Sequence, residues 1–248
     1  MSIGGRSHCG AVSWEHMRPP TFTHERALAH GGYAAIGVDE AGCGCLAGPV
    51  VAAAAYLPMD SRLGNIRDSK LLSAAQRERL VVEFDARGFR YAIGVATHEE
   101  VDRVNIRQAT YLAMRRAVEG FLDVVSLRAA AKQSRPTTQT TEIASSLLVP
   151  RNDTSTEANW HALVDAWTIP NLSSPQRGII HGDRLVKSIA AASIIAKVTR
   201  DRMMDVLDRE FPHYGFAQHK GYATVAHRAA IAAHGVSPVH RRTFTVRI

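Results

Sequence analysis

Cysteine is nearly absent from this sequence: Cys9, Cys43 and Cys45 are the whole complement. A count that is odd and sparse excludes a disulfide framework and fits a reducing compartment, so the chain is expected in the cytoplasm. Cys43 and Cys45 would make half of a thiolate metal site, but there is no second pair to complete it. Long apolar runs are missing too. Residues 1–32 contain no apolar core of signal-peptide length, and no later run is long enough to cross a bilayer, which predicts no membrane partner. Acidic residues are in deficit, with 23 Asp and Glu against 30 Lys and Arg and a formal net charge of +7. That balance points to a polyanionic partner, nucleic acid first; a merely solubilising surface is the alternative.

What is present is enough apolar residue for one sizeable core: 46% of 248 residues. One large domain is expected. Residues 1–32 read as a polar, poorly ordered extension, and 33–248 as the domain, interrupted at 126–158 by a Ser/Thr-rich surface insertion. Strands are predicted at 34–38, 49–57 and 89–96. Ser73 with Gln76 forms a capping box that opens a helix, and Gly88 stops it. Thr97 with Glu100, and Asn105 with Gln108, open two more. Beyond the insertion, strands are predicted over 161–167 and 177–183, then a long helix over 188–211 and a last one near 223–234. This order suggests one α/β domain around a mixed sheet.

Four acids stand at ends of predicted strands: the adjacent Asp39 and Glu40, then Asp165 and Asp183. Strand ends are where open α/β sheets place ligands. Four carboxylates on one rim stay ionised together only with cations between them, and hard oxygen donors suit Mg2+ or Mn2+. Two such ions serve phosphodiester hydrolysis. In an ideal strand Asp39 and Glu40 face opposite sides, so both serve only if the strand bends or ends there, as the glycines that follow permit. The bland alternative is four loop acids that cap helices or pair with arginine. Residue chemistry alone reaches a basic α/β protein with a candidate metal-dependent phosphodiesterase site.

Eight blocks extend that reading. "GVDEAGCGCLAGPVVAAAAYLP", "DSKLLS", "NIRQATYLAMRRAV", "LVDAW", "IIHGD", "SIAAASIIAKVTRDRMM", "YGFAQHKGYAT" and "SPVHRRTF" occur in this order, and together they resemble the ribonuclease HII family. The resemblance implies an RNase H-like fold: a mixed five-stranded sheet flanked by helices, with a helical C-terminal part. It implies hydrolysis of the RNA strand in RNA–DNA hybrids and incision at ribonucleotides embedded in duplex DNA, leaving 3′-hydroxyl and 5′-phosphate ends. It assigns the metal ligands to Asp39, Glu40, Asp165 and Asp183, a phosphate contact to Lys70, sugar stacking to Tyr222, and 2′-hydroxyl reading to the backbone of the turn Gly42, Cys43 and Gly44. The expected state is a monomer.

The chain departs from the family where Cys43 replaces the usual Arg and Cys45 the usual Pro. His181 and His219 lie near the presumed site, and a structural role is expected for each, as for Asp201. Two competitors remain: a non-catalytic nucleic-acid binder of the same fold, against which the four retained acids argue, and a hydrolase of small phosphoesters, against which the basic charge argues.

Overall fold

The computed structural model describes residues 19–63, 66, 69–133 and 159–244, with side chains along 128–133 left undescribed. The chain order is α1 (Thr23–His30), β1 (Tyr33–Ala41), β2 (Val50–Tyr56), a 3-10 turn (Ser69–Leu71), α2 (Ala74–Ala86), β3 (Arg90–Ala96), α3 (His98–Val104) and α4 (Ile106–Gln133). Then come β4 (Asn159–Asp165), β5 (Gln176–Ile179), α5 (Gly182–Leu185), α6 (Lys187–Glu210), α7 (Phe216–His219) and α8 (Val225–His234). The five strands form one sheet in the order β3-β2-β1-β4-β5. β1 is antiparallel to β2 and parallel to β4, and β5 is parallel to β4. The sheet is therefore mixed, as expected.

Alternation along β1 decides which helices cover which face. Ile36 and Val38 pack with Ala52, Ala54, Ala162 and Val164 under α4, against Ala109, Ala113, Val118 and Phe121. Ala41 joins Ala53 and Ala55 on the other face, beneath α6 and α2, with Ala191, Ile194, Leu80 and Phe84. Both helices press directly onto the sheet backbone. A Cβ on Gly37 would lie 2.0 Å from the Ser188 carbonyl carbon of α6, and one on Gly94 would lie 1.9 Å from the Ala113 oxygen of α4. No side chain fits at either crossing, so these two glycines fix how close the layers come. A third cluster, with Leu46, Met204, Tyr214, Phe216, Ile231 and Val239, joins the loop after β1 to the C-terminal helices.

Both expected capping boxes are present. Ser73 and Gln76 exchange side-chain and backbone bonds at the start of α2, as do Thr97 and Glu100 at the start of α3.

Four expectations need correction. The reading of 1–32 as a poorly ordered extension fails for its last third: Thr23–His30 is a helix packed beside β1, and its buried Glu25 accepts the Ser188 N–H at 2.9 Å, capping α6. Of the insertion read at 126–158, residues 126–133 belong to α4, which continues to Gln133, while residues 134–158 lie outside the described ones. The first strand does not stop at Val38; it runs through Asp39 and Glu40 to Ala41. The strand predicted over 177–183 ends at Ile179, and Asp183 sits in the short α5. The reason for the last is local. His181 takes a left-handed conformation (φ 57°) and turns the chain off the sheet edge.

α4 passes the rim near Thr110, where that side chain meets Cys43, and its last residue, Gln133, is about 35 Å farther along the helix axis at 1.5 Å per residue. β4 begins at Asn159 and reaches the rim only at its last residue, Asp165.

Candidate active site

β1 and β4 run side by side, and Val38 pairs with Val164. One residue further on, Asp39 and Asp165 project from the same, α6-covered face of neighbouring strands, whose backbones lie about 4.8 Å apart in any sheet. Asp39 is 5% exposed. Burial holds its carboxyl well above the usual range, and the charges of Glu40 and Asp165 add to the effect. Burial likewise raises Asp165, reinforced by the charge of Asp183. Glu40 points to the opposite face of the ladder, but the strand ends one residue later, at Ala41 before Gly42, and the Glu40 carboxyl still feels the Asp165 charge. Burial raises it too, with the Asp165 charge adding.

Each acid has a separate local partner. The Asp39 carboxylate accepts the Glu40 N–H at 2.7 Å and the Ser193 hydroxyl, and Ser193 bonds the Ser69 hydroxyl at 2.9 Å. Asp165 accepts the Gly182 N–H at 2.7 Å. Lys70, its side chain 75% exposed, reaches buried Asp183 at 3.3 Å. The Cys43 thiol donates to Glu40 at 3.4 Å and lies 3.1 Å from the Thr110 hydroxyl. Burial beside Glu40 pushes the Cys43 thiol up, so it is a protonated donor at neutral pH. With the side chains held apart in this way, no group of three or more His, Cys, Asp or Glu among the described residues closes on an ion-sized point.

Beside the acids lies the turn. Gly42 has φ 99°, and a Cβ there would sit 2.1 Å from the Arg200 Nε. Gly44 is exposed, and nothing stands within 4 Å of where its Cβ would be. The Cys45 N–H closes back on the Gly42 oxygen at 3.3 Å, while the N–H groups of Cys43 and Gly44 make none of the hydrogen bonds formed among the described residues. Tyr222 borders the turn. It pairs with Cys45 in an isolated bridge and is 41% exposed.

Comparison with known proteins gives the family. The Ribonuclease HII family model matches residues 36–145 and 139–247. The chain belongs to the ribonuclease HII family. It is 44% identical to the Ribonuclease HII of Desulfitobacterium hafniense over 221 residues, 89% of this chain and 72% of that one. It is 43% identical to that of Syntrophotalea carbinolica over 231 residues, 93% of each. Among solved structures it resembles the ribonuclease HII in a PCNA complex from Archaeoglobus fulgidus, with a TM-score of 0.60, 22% identity, and coverage of 86% of this chain and 96% of that one. It also resembles Bst-RNase HIII solved with Mn2+, at a TM-score of 0.54 and 19% identity, over 82% of this chain and 63% of that one. At those identities the structures speak for the fold. As a ribonuclease HII, the protein is an RNase H hydrolase. No helix among the described residues is long and apolar enough to cross a membrane.

Within this ribonuclease HII, two arginines that sequence reading passed over build the turn. Arg200 is fully buried and donates to the carbonyls of Pro49 (3.0 Å), Ala47 (3.1 Å) and Lys220 (2.8 Å). Arg241, 1% exposed, donates to those of Gly48 (3.0 Å) and Cys43 (3.1 Å). Burial lowers the Arg241 guanidinium to about 10. Both stand in blocks that the resemblance picked out, "KVTRDRMM" and "SPVHRRTF", but nothing in the string tells a buried arginine from an exposed one. Of the other expectations, Asp201 has a structural setting between Lys197 at 2.6 Å and Arg77 at 3.7 Å. His219 is buried, bonded to the Tyr214 oxygen at 2.7 Å, and His181 is an exposed turn residue.

Proposed function

We propose that this ribonuclease H cleaves the RNA strand of RNA–DNA hybrids and incises at single ribonucleotides in duplex DNA, leaving 3′-hydroxyl and 5′-phosphate ends. The observation that carries this reading is the juxtaposition of a mutually repelling carboxylate rim with an exposed turn whose N–H groups are uncommitted. Asp39, Glu40, Asp165 and Asp183 would hold two divalent cations, Mg2+ or Mn2+. Their hard oxygen donors fit such ions. Burial first, and then the neighbouring negative charge, raises the proton affinities of Asp39, Glu40 and Asp165, and a cation among them relieves that cost. Binding requires the acids to exchange their local partners for the ion by side-chain rotation, with the backbone left in place. When bound, the cations stabilise charge on the attacking water and on the departing 3′ oxygen.

The remaining roles fall to the chain itself. The Cys43 and Gly44 N–H groups donate to a ribose 2′-hydroxyl oxygen, and only RNA presents one. Gly44 lets the sugar come close, having no side chain in the way. Tyr222 offers its exposed ring to the adjoining sugar. Lys70 releases Asp183 and takes a phosphate oxygen, a role that suits a mobile point charge. The Cys43 thiol keeps Glu40 turned toward the rim. Duplex DNA containing one ribonucleotide, incubated with and without Mg2+, tests the proposal. Incision beside the ribonucleotide that requires the cation is the expected result; cleavage of an all-DNA duplex at a similar rate, or undiminished incision in EDTA, would overturn it.

A further inference from the structure

Behind Tyr222 lies a chain of buried histidines with no place in the chemistry above. His227 and His240 are 0% and 2% exposed, and their Nε2 atoms are 3.0 Å apart. At the far end, His240 Nδ1 accepts the Ser237 backbone N–H at 2.9 Å and lies 2.7 Å from the Ser237 hydroxyl. At the near end, His227 Nδ1 lies 2.9 Å from the Tyr222 carbonyl oxygen.

These contacts fix every proton. A backbone N–H only donates, so His240 Nδ1 carries no hydrogen and its Nε2 must. His240 Nε2–H then donates to His227 Nε2. That leaves the His227 hydrogen on Nδ1, where it donates to the Tyr222 carbonyl. The chain closes only if both rings are neutral. A proton added at His240 Nδ1 would displace the Ser237 N–H and leave the Ser237 hydroxyl oxygen as its acceptor there, and one added at His227 Nε2 would point at the His240 N–H.

We propose that His227, His240 and Ser237 form a neutral-imidazole brace that positions Tyr222 against the turn, and that protonation of the brace in acid releases Tyr222 and weakens substrate recognition. The proposal rests on the assignment of Tyr222 to the substrate.

The surroundings support it. The groups facing the pair are basic or aromatic. His219 stacks on His227 with ring centroids 4.2 Å apart, and its own Nδ1 accepts the Gly221 N–H at 3.2 Å. The Phe216 ring lies edge-on to His227 at 5.5 Å, and the Tyr214 ring is 5.1 Å from His240. The charges felt by His240 are those of His227, His219 and His98. Burial comes first at both rings, and none of the hydrogen bonds that they make among the described residues is to a carboxylate. Burial lowers His227, and it lowers His240 to about 4. The brace is also tied to the turn it serves: the Arg241 N–H, next in sequence to His240, donates to the Leu46 oxygen at 2.8 Å, and the Leu46 N–H donates to the Gly221 oxygen at 2.8 Å.

The test is binding of a duplex with one ribonucleotide, by fluorescence anisotropy in Ca2+, for the wild type and Tyr222→Ala between pH 7.5 and 4, with circular dichroism at each pH. Loss of one aromatic stacking contact weakens binding about tenfold. The expected ratio of the two dissociation constants is therefore about ten at pH 7.5 and falls toward one as the pH approaches 4 while the circular dichroism holds. Taking the ratio cancels the titration of the acids, which both proteins share. His227→Asn keeps a donor near the Nδ1 position but cannot titrate, so it should hold the ratio near ten over the same range. A ratio that stays constant with pH overturns the brace and leaves the Tyr222 assignment standing. A ratio of one at pH 7.5 overturns the assignment and the brace with it.

Discussion

The rim and the turn lie side by side yet are held in opposite ways. At the rim, buried acids raise one another's proton affinity, and their partners are local and exchangeable: a lysine, a thiol, a hydroxyl, an N–H. At the turn, Arg200 and Arg241 together donate to five carbonyls, Pro49, Ala47, Lys220, Gly48 and Cys43, and the neutral histidine chain holds Tyr222. One region keeps its charge unbalanced for a ligand to balance, and the other ties its carbonyls to buried arginines while leaving the Cys43 and Gly44 N–H groups open. On the proposed roles, the contrast teaches that the part that would react is built for rearrangement and the part that would discriminate for rigidity. Their responses to pH differ in sign. Acids raised by burial favour the fold in acid and lose that contribution as pH rises through their folded values. Histidines lowered by burial favour it above the unfolded value near 6.5, and that contribution fades as pH falls toward about 4.

The sharpest break between the regions comes from removing one rim charge. Asp39→Asn or Asp165→Asn should lower turnover on a ribonucleotide-containing duplex by roughly a hundredfold or more, with binding in Ca2+ retained. Full activity of either variant in Mg2+ would detach the rim from the chemistry. Arg200→Met should act the other way round, on stability before chemistry. It strands three buried carbonyls, at a cost of about 3–5 kcal/mol on the scale of broken buried charged networks, and urea unfolding reads the loss. A midpoint equal to the wild type's would mean the turn does not depend on Arg200.

A smaller effect separates charge from fold within the rim. In EDTA, Asp39→Asn should melt higher than the wild type, with a gap that widens from pH 5 to 8 as the native carboxylate ionises. The scale is roughly 2–4 °C for each kcal/mol in a chain of this size. A gap that narrows with rising pH would contradict the sign argued for burial. Lys70→Ala should weaken duplex binding modestly and reduce the slope of log affinity against log salt by about one phosphate's share. An unchanged slope would leave Lys70 as Asp183's partner only. The smallest change is expected from Cys43→Ser, which keeps a donor beside Glu40: turnover within about twofold, a few tenths of a kcal/mol. A tenfold fall would show that the bulk or softness of sulfur matters there.

What could be read in the sequence was local or pairwise. Capping boxes at Ser73 and Thr97 depend on residues three apart, and both appear as expected. The four acids were found by type and position, but one was misplaced: Asp183 follows an apolar run that reads as strand, and the left-handed His181 that turns it away has no clear signature. Helix α1 was missed because what holds it is Glu25 capping Ser188, a contact spanning 163 positions. The tail of α4 was missed because "SLRAAAKQ", a good helix former, was absorbed into the Ser/Thr-rich stretch after it. Arg200 and Arg241 escaped notice because arginine is rarely buried, so its identity gives no warning when it is.

The placement of the elements that flank residues 134–158 has a practical consequence. Their anchors, the far end of α4 and the first residue of β4, both lie away from the acids, the second by about 20 Å of strand. A dye, an affinity handle or a tethered partner domain spliced between those anchors would join the enzyme at the end of the sheet remote from the rim. Such a graft offers a site for following the protein on long duplexes by single-molecule imaging without altering a residue of the rim, the turn or the histidine brace.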